Sequence, residues 1–118
     1  MEIKSILAAL SALAQETRLA IFRGLVEAGP AGMTVGRIGE ALNVAPATLS
    51  FHLKELSHAG LVGARQEGRY IRYAANYQVM NGLIGYLSEN CCGGQPELCS
   101  VACAPPRKAA RAARGTGR

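Results

Sequence analysis

The chain has no cysteine before position 91, no aspartate anywhere and no long apolar run. Each absence excludes something. A disulfide scaffold would spread its bridges through a small secreted chain, so the cysteine-free first ninety positions must fold around an apolar core instead. The longest apolar-rich stretch, Ile6 to Ala14, is interrupted by Ser11 and falls far short of the roughly 20 residues that a membrane span needs. No membrane partner is therefore expected. No Cys-x-x-Cys opens a helix, no acid/base pair is grouped and no glycine-rich phosphate loop follows a strand, so the chain does not read as an enzyme.

What is present suffices for one domain. At 118 residues and 49% hydrophobic, a chain of this length buries roughly two-thirds of its unfolded surface. The formal charge is +5, but Arg107, Lys108, Arg111, Arg114 and Arg118 account for all of it, leaving residues 1–103 neutral. The net charge therefore says little about nucleic acid, and local charge must carry that argument. Between Val44 and Tyr73, Lys54, Arg65, Arg69 and Arg72 outnumber Glu55 and Glu67; from Ala74 to Cys103 the charged residues are Glu89 and Glu97.

Periodicity predicts the elements. Ile3, Ile6, Leu7, Leu10, Leu13 and Ala14 fall on one helical face, which explains an N-terminus that Lys4 and Ser11-Ala12-Leu13-Ala14 make resemble a secretion signal. The chain is expected in the cytoplasm. A second helix, Glu16 to Ala28, stops at Gly29-Pro30. Thr34 is suited to cap a short helix, Val35 to Leu42, and Asn43-Val44-Ala45 forms a tight turn. Pro46 then opens a helix running to about His58, with Leu49, Leu53 and Leu56 buried and Gly60 as its stop. From Leu61 the period becomes alternating, predicting a β-hairpin with Glu67-Gly68 at its turn. Asn76 is suited to cap a last helix, Tyr77 to Asn90, in which Gly82 and Gly85 read either as a close approach to the dimer mate or the first helix or as tolerated surface glycines.

Two helices joined by a three-residue turn, followed by a hairpin with arginines, have the order of a winged helix-turn-helix. The second helix can enter a major groove and the hairpin can reach phosphates or the minor groove. Exposed candidates on that helix are Ala47, Thr48, Ser50, Phe51, His52 and Lys54; on the wing they are Arg65, Arg69 and Arg72. His58, near a helix C-terminus, reads as a favourable cation there and not as a metal ligand.

The run Ala47-Thr48-Leu49-Ser50-Phe51-His52-Leu53-Lys54-Glu55-Leu56, then Ala59-Gly60-Leu61-Val62 and Glu67-Gly68-Arg69-Tyr70-Ile71-Arg72-Tyr73, resembles the ArsR/SmtB family of metalloid-responsive repressors. The likeness extends from about Leu7 to Cys99 and includes Glu16-Thr17-Arg18-Leu19-Ala20-Ile21. It implies a mainly α winged helix-turn-helix homodimer, joined through its first and last helices. Such a dimer binds double-stranded operator DNA at an imperfect inverted repeat until an inducer releases it.

The cysteines all lie between Cys91 and Cys103. Zinc knuckles ask for Cys-x2-Cys spacing or histidine partners, and neither occurs. Adjacent thiols on a flexible loop suit a soft ion of low coordination number, and three thiolates complete a pyramidal As(III) or Sb(III) site. Cys91, Cys92 and Cys99 are the expected ligands, with Cys103 as the alternative third. Thr34-Val35-Gly36 carries no thiol where the better-known branch of the family has its Cys-Val-Cys inducer site, and the last helix has no His or Asp for a zinc-sensing set. The remaining likeness is to the branch with vicinal cysteines after the last helix. A different reading of the same thiols is reversible oxidation, making a redox-sensing repressor. The expected organisation is a DNA-binding and dimerisation domain over 1–90, an inducer segment over 91–103 and a basic, disordered tail over 104–118.

Overall fold

The structure, a computed structural model, describes residues 1–95. Its elements are α1 (Ile3–Leu13), α2 (Glu16–Ala28), β1 (Met33–Thr34), α3 (Val35–Leu42), α4 (Pro46–His58), β2 (Val62–Glu67), β3 (Tyr70–Ala75), α5 (Tyr77–Leu87) and a 3-10 turn over Cys91–Gly94. The expected mainly α fold with a winged helix-turn-helix order is the one observed. Two compact units divide the chain, Met1–Leu83 and the stretch from Ile84 onward.

Within the first unit the helices surround one core. Ile6 and Ala9 of α1, Ile21 and Leu25 of α2, Ile38 of α3 and Leu49, Leu53 and Leu56 of α4 are almost fully buried. Their 3- and 4-residue spacing turns one stripe of each helix inward. On α1 the buried stripe is Ile6, Ala9 and Ala12, while Ile3, Leu7 and Leu10 remain exposed. The sequence places these side chains on one apolar face; the single chain covers only the part of it that meets α2 and α4.

Local chemistry sets the boundaries. The Gln15 side chain accepts from the Arg18 N–H at 2.9 Å and starts α2, and the Thr34 hydroxyl accepts from the Arg37 N–H at 3.4 Å and starts α3. Asn43, in the left-handed region at φ 55, turns the chain between α3 and α4, and Pro46 occupies the first turn of α4. At the far end Gly60 (φ 79) donates to Ser57 O and Leu61 donates to Leu56 O, a Schellman arrangement sealed by the buried Leu56 and Leu61 side chains. That closure delivers the chain into the wing. Asn76 Oδ1 accepts from the Val79 N–H at 3.2 Å, capping α5 as expected.

Three details differ from expectation. The sheet has three strands in the order β1-β3-β2, because Met33 and Thr34 pair with Tyr73 and Arg72. The hairpin turn is Gly68-Arg69, since Glu67 pairs with Tyr70; Gly68 (φ 61) takes the first turn position, where a positive φ is required. Finally α5 ends at Leu87 and not at Asn90. Ser88 Oγ bonds back to Ile84 O at 2.7 Å, and Asn90 adopts a left-handed φ of 57, so the helical ladder stops before the cysteines. Gly82 lies against the side chain of Met1, which precedes α1, and nothing stands within 4 Å of a Cβ at Gly85.

Candidate nucleic-acid interface and thiol pair

Helix α4 has a dry side and a wet side. Leu49, His52, Leu53 and Leu56 are buried, while Ala47, Thr48, Ser50, Phe51 and Lys54 are exposed. The expectation that His52 is exposed is therefore corrected: it is 8% exposed, and its spacing puts it with the leucines. Arg18 holds it, with Nη1 at 3.1 Å from His52 Nδ1, while Arg18 Nε donates to Ala12 O at 2.7 Å. A guanidinium only donates, so Nδ1 accepts and the ring proton sits on Nε2. His52 therefore positions the recognition helix against α2 from within the fold.

The wing presents its arginines unequally. Arg69 stands exposed at the turn. Arg65 is tied to the Glu67 carboxylate through Nη2 at 2.8 Å and Nε at 3.1 Å. Arg72 Nε donates to the other Glu67 oxygen at 3.0 Å, and its Nη1 donates to Ala31 O and Gly32 O. Arg72 thus braces the turn before β1. These arginines, Arg72 first, hold the Glu67 carboxyl below its usual pKa of 4.5. The register that sets Arg65 opposite Arg72 brings both within reach of one acid, a pairing that sequence alternation alone did not reveal.

Between α4 and the wing lies an open groove of about 540 Å³, lined in part by Ser50, Lys54, Ser57, His58, Arg69 and Tyr70, with no carboxylate in its wall. The cationic and hydroxyl groups of this groove, set among apolar side chains such as Val35, Leu53 and Ile71, suit a phosphate backbone.

In the second unit, Cys91 and Cys92 lie side by side, with Sγ atoms 3.8 Å apart. Cys92 takes a left-handed φ of 58, and Gly93 and Gly94 continue that sense. Desolvation, followed by the hydrogen bond to Cys92 and its charge, pushes the Cys91 thiol up from 9.0. Among the described residues no cluster of three or more His, Cys, Asp or Glu side chains is placed to hold a metal. Cys99 and Cys103, the expected third ligands, and the basic tail lie outside the described residues. Among the described residues, no single helix is long and apolar enough to cross a membrane.

Comparison with known proteins agrees with this geometry. Residues 13–62, from the end of α1 to the start of β2, match the helix-turn-helix domain family. An uncharacterized HTH-type transcriptional regulator of Bacillus subtilis, YceK, is 41% identical over 58 residues, 49% of this chain and 57% of that protein. The match thus spans little more than half of that relative. Among solved structures, HlyU from Vibrio cholerae is 30% identical, with a TM-score of 0.59 over 74% of this chain and 97% of that one. The homodimeric winged helix-turn-helix DNA-binding domain of a possible ArsR-family transcriptional regulator from Mycobacterium bovis is 25% identical, with a TM-score of 0.61 over 79% of this chain and 86% of that one. A possible transcriptional regulator for arsenical resistance is 26% identical, with a TM-score of 0.60 over 83% of this chain and 97% of that one. The likenesses to HlyU, over nearly all of that protein, and to the winged helix-turn-helix domain agree: the chain is a transcriptional regulator of the ArsR/HlyU winged-helix type.

Proposed function

We propose that this regulator is a cytoplasmic homodimeric repressor that leaves its operator when As(III) or Sb(III) binds its C-terminal thiolates, derepressing arsenic-resistance genes. The observation that carries the inducer assignment is the 3.8 Å separation of the Cys91 and Cys92 sulfurs. At the thiolate distance of about 2.3 Å that zinc takes, that span would correspond to an S–ion–S angle of about 110°. The pair can therefore share one thiophilic ion with little rearrangement. Cys99 supplies the third thiolate, with Cys103 as its alternative. Reducing conditions in the cytoplasm keep such thiols available.

On the DNA side, Ala47, Thr48, Ser50, Phe51 and Lys54 meet the major groove, and Arg65, Arg69 and Arg72 belong to the wing that lies along the flanking backbone. The dimer uses its first and last helices. In the first unit Ile3, Leu7 and Leu10 of α1 are exposed, and in the second unit Ile84 and Leu87 of α5 are exposed; exposed apolar side chains on each helix suit association. Two recognition helices then read half-sites about 34 Å apart, one turn of DNA. Closing three thiolates on one ion ties Cys99 to the end of α5 and changes how the last helices pack across the dimer. The two recognition helices lose their common register.

The test is fluorescence anisotropy of a labelled inverted-repeat operator with reduced protein, titrated separately with As(III), Zn²⁺ and peroxide under a non-thiol, non-chelating reductant. As(III) is expected to release the DNA, and Cys91→Ser or Cys92→Ser to abolish release while leaving DNA binding intact. Release by peroxide and not by As(III) would transfer the thiols to redox sensing and overturn the inducer assignment.

A further inference from the structure

The outward side of α4 carries one large apolar side chain that nothing in the described fold covers. Phe51 is 56% exposed. Helical spacing sets Ala47, Phe51, Lys54 and His58 along one stripe, roughly opposite Leu49, Leu53 and Leu56. Its neighbours are the Thr48 and Ser50 hydroxyls and the Lys54 ammonium, groups matched to phosphates and base edges rather than to the apolar surface of another protein.

The ring also has one contact within the fold. It meets the His52 ring edge-on, with centroids 5.4 Å apart at 62°. His52 is held in turn by Arg18, which grips the end of α1 through Ala12 O. A chain of contacts from α1 and α2 therefore orients an aromatic face on the recognition helix.

Side chains that make bidentate bonds to guanine or adenine are Arg, Lys, Asn and Gln. Apart from Lys54, α4 contains none of these. Phenylalanine offers no donor or acceptor, so it can distinguish base pairs only through apolar contact, and the major groove presents one apolar group, the thymine C5-methyl. We propose that Phe51 is a specificity-determining residue that seats a thymine methyl against its ring in each operator half-site. This rests on α4 being the element that enters the major groove.

The experiment uses the full chain. Selection from random double-stranded DNA gives the preferred site, and each thymine in it is then replaced singly by deoxyuridine, which removes only the methyl. In the wild type, one thymine per half-site is expected to be sensitive, with about a fourfold loss of affinity. That corresponds to about 0.8 kcal/mol, the value of one buried methyl-sized group. Phe51→Ala is expected to bind the thymine and deoxyuridine sites equally, and Phe51→Leu, which keeps an apolar side chain, to retain part of the difference. A deoxyuridine penalty of the same size in wild type and Phe51→Ala, or no sensitive thymine, overturns the assignment while leaving DNA reading by α4 intact. If selection enriches no sequence at all, the reading of α4 itself fails, and the assignment with it.

Discussion

Arg18 of α2 and His52 of α4 meet at 3.1 Å, the guanidinium Nη1 donating to Nδ1, while Arg18 Nε donates to Ala12 O at the end of α1. One side chain therefore ties three helices at the point where the recognition helix leaves the core. Replacing it by Met keeps much of the bulk but leaves a buried imidazole nitrogen without its donor. Such a loss costs about 1–3 kcal/mol. Arg18→Met is expected to lower the urea midpoint accordingly. Arg18→Lys is expected to restore little of it, since an ammonium cannot reproduce the planar fork that reaches both acceptors.

Glu67 sets the pH dependence of the wing. Arg72 first and Arg65 second hold its carboxyl below 4.5. A carboxyl whose pKa is depressed in the folded state contributes stability that is present above the unfolded value, about 4.5, and is lost as pH falls through the lower folded value. The wing should therefore loosen below pH 4.5 and not in the neutral range. A side-chain NMR titration is expected to place the Glu67 midpoint below 4.5, with Arg72→Met moving it upward more than Arg65→Met.

The same carboxylate neutralises Arg65, whose side chain has no other hydrogen-bond partner among the described residues. Glu67→Gln is expected to free Arg65 for a backbone contact, since Arg72 keeps its bonds to Ala31 O and Gly32 O. One added phosphate contact per wing, two per dimer, steepens the plot of log affinity against log salt by about 1.8. Anisotropy titrations at several salt concentrations measure this directly; an unchanged slope would show that Arg65 stays off the DNA.

Gly32 governs the entry to β1. It sits at φ 68, and a Cβ there would collide with the Tyr73 carbonyl oxygen of β3. Both the backbone conformation and the space demand glycine. Gly32→Ala is expected to cost more than about 1 kcal/mol, whereas Gly36→Ala, inside α3 with nothing within 4 Å of the added methyl, is expected to stabilise the fold by about 0.4–1 kcal/mol. Paired denaturation curves settle the difference.

Most of this fold is legible in the sequence because it is helical: the apolar spacings of α2, α3 and α4 and the Thr34, Asn76 and Gly60 signals each act within a few residues. What the sequence hides is long-range. Met33-Thr34 is too short to show a period, and its strand partner lies about 40 residues away in β3. Arg65, Glu67 and Arg72 become one cluster only once the hairpin register is known. His52 is the exception, for its place among Leu49, Leu53 and Leu56 already assigns it to the inward side of α4. On the thiol side, adjacency alone announces the Cys91 and Cys92 pair, whereas a third ligand depends on the course of the chain beyond residue 95.

Linkage gives the strictest test of how inducer and DNA communicate. If binding at Cys91 and Cys92 weakens operator affinity by some factor, operator binding must weaken inducer affinity by the same factor. A hundredfold release corresponds to a coupling of about 2.7 kcal/mol, close to the upper end of usual allosteric couplings. Calorimetric titration of As(III) into free dimer and into the saturated operator complex is expected to give dissociation constants separated by the factor that anisotropy finds for the DNA. Removing the tail after Cys103 should leave that ratio unchanged while flattening the salt dependence if the tail contacts phosphate. Equal As(III) affinities in the two titrations, alongside a measured loss of DNA, would mean that release proceeds by displacement or unfolding and not by coupling between two sites.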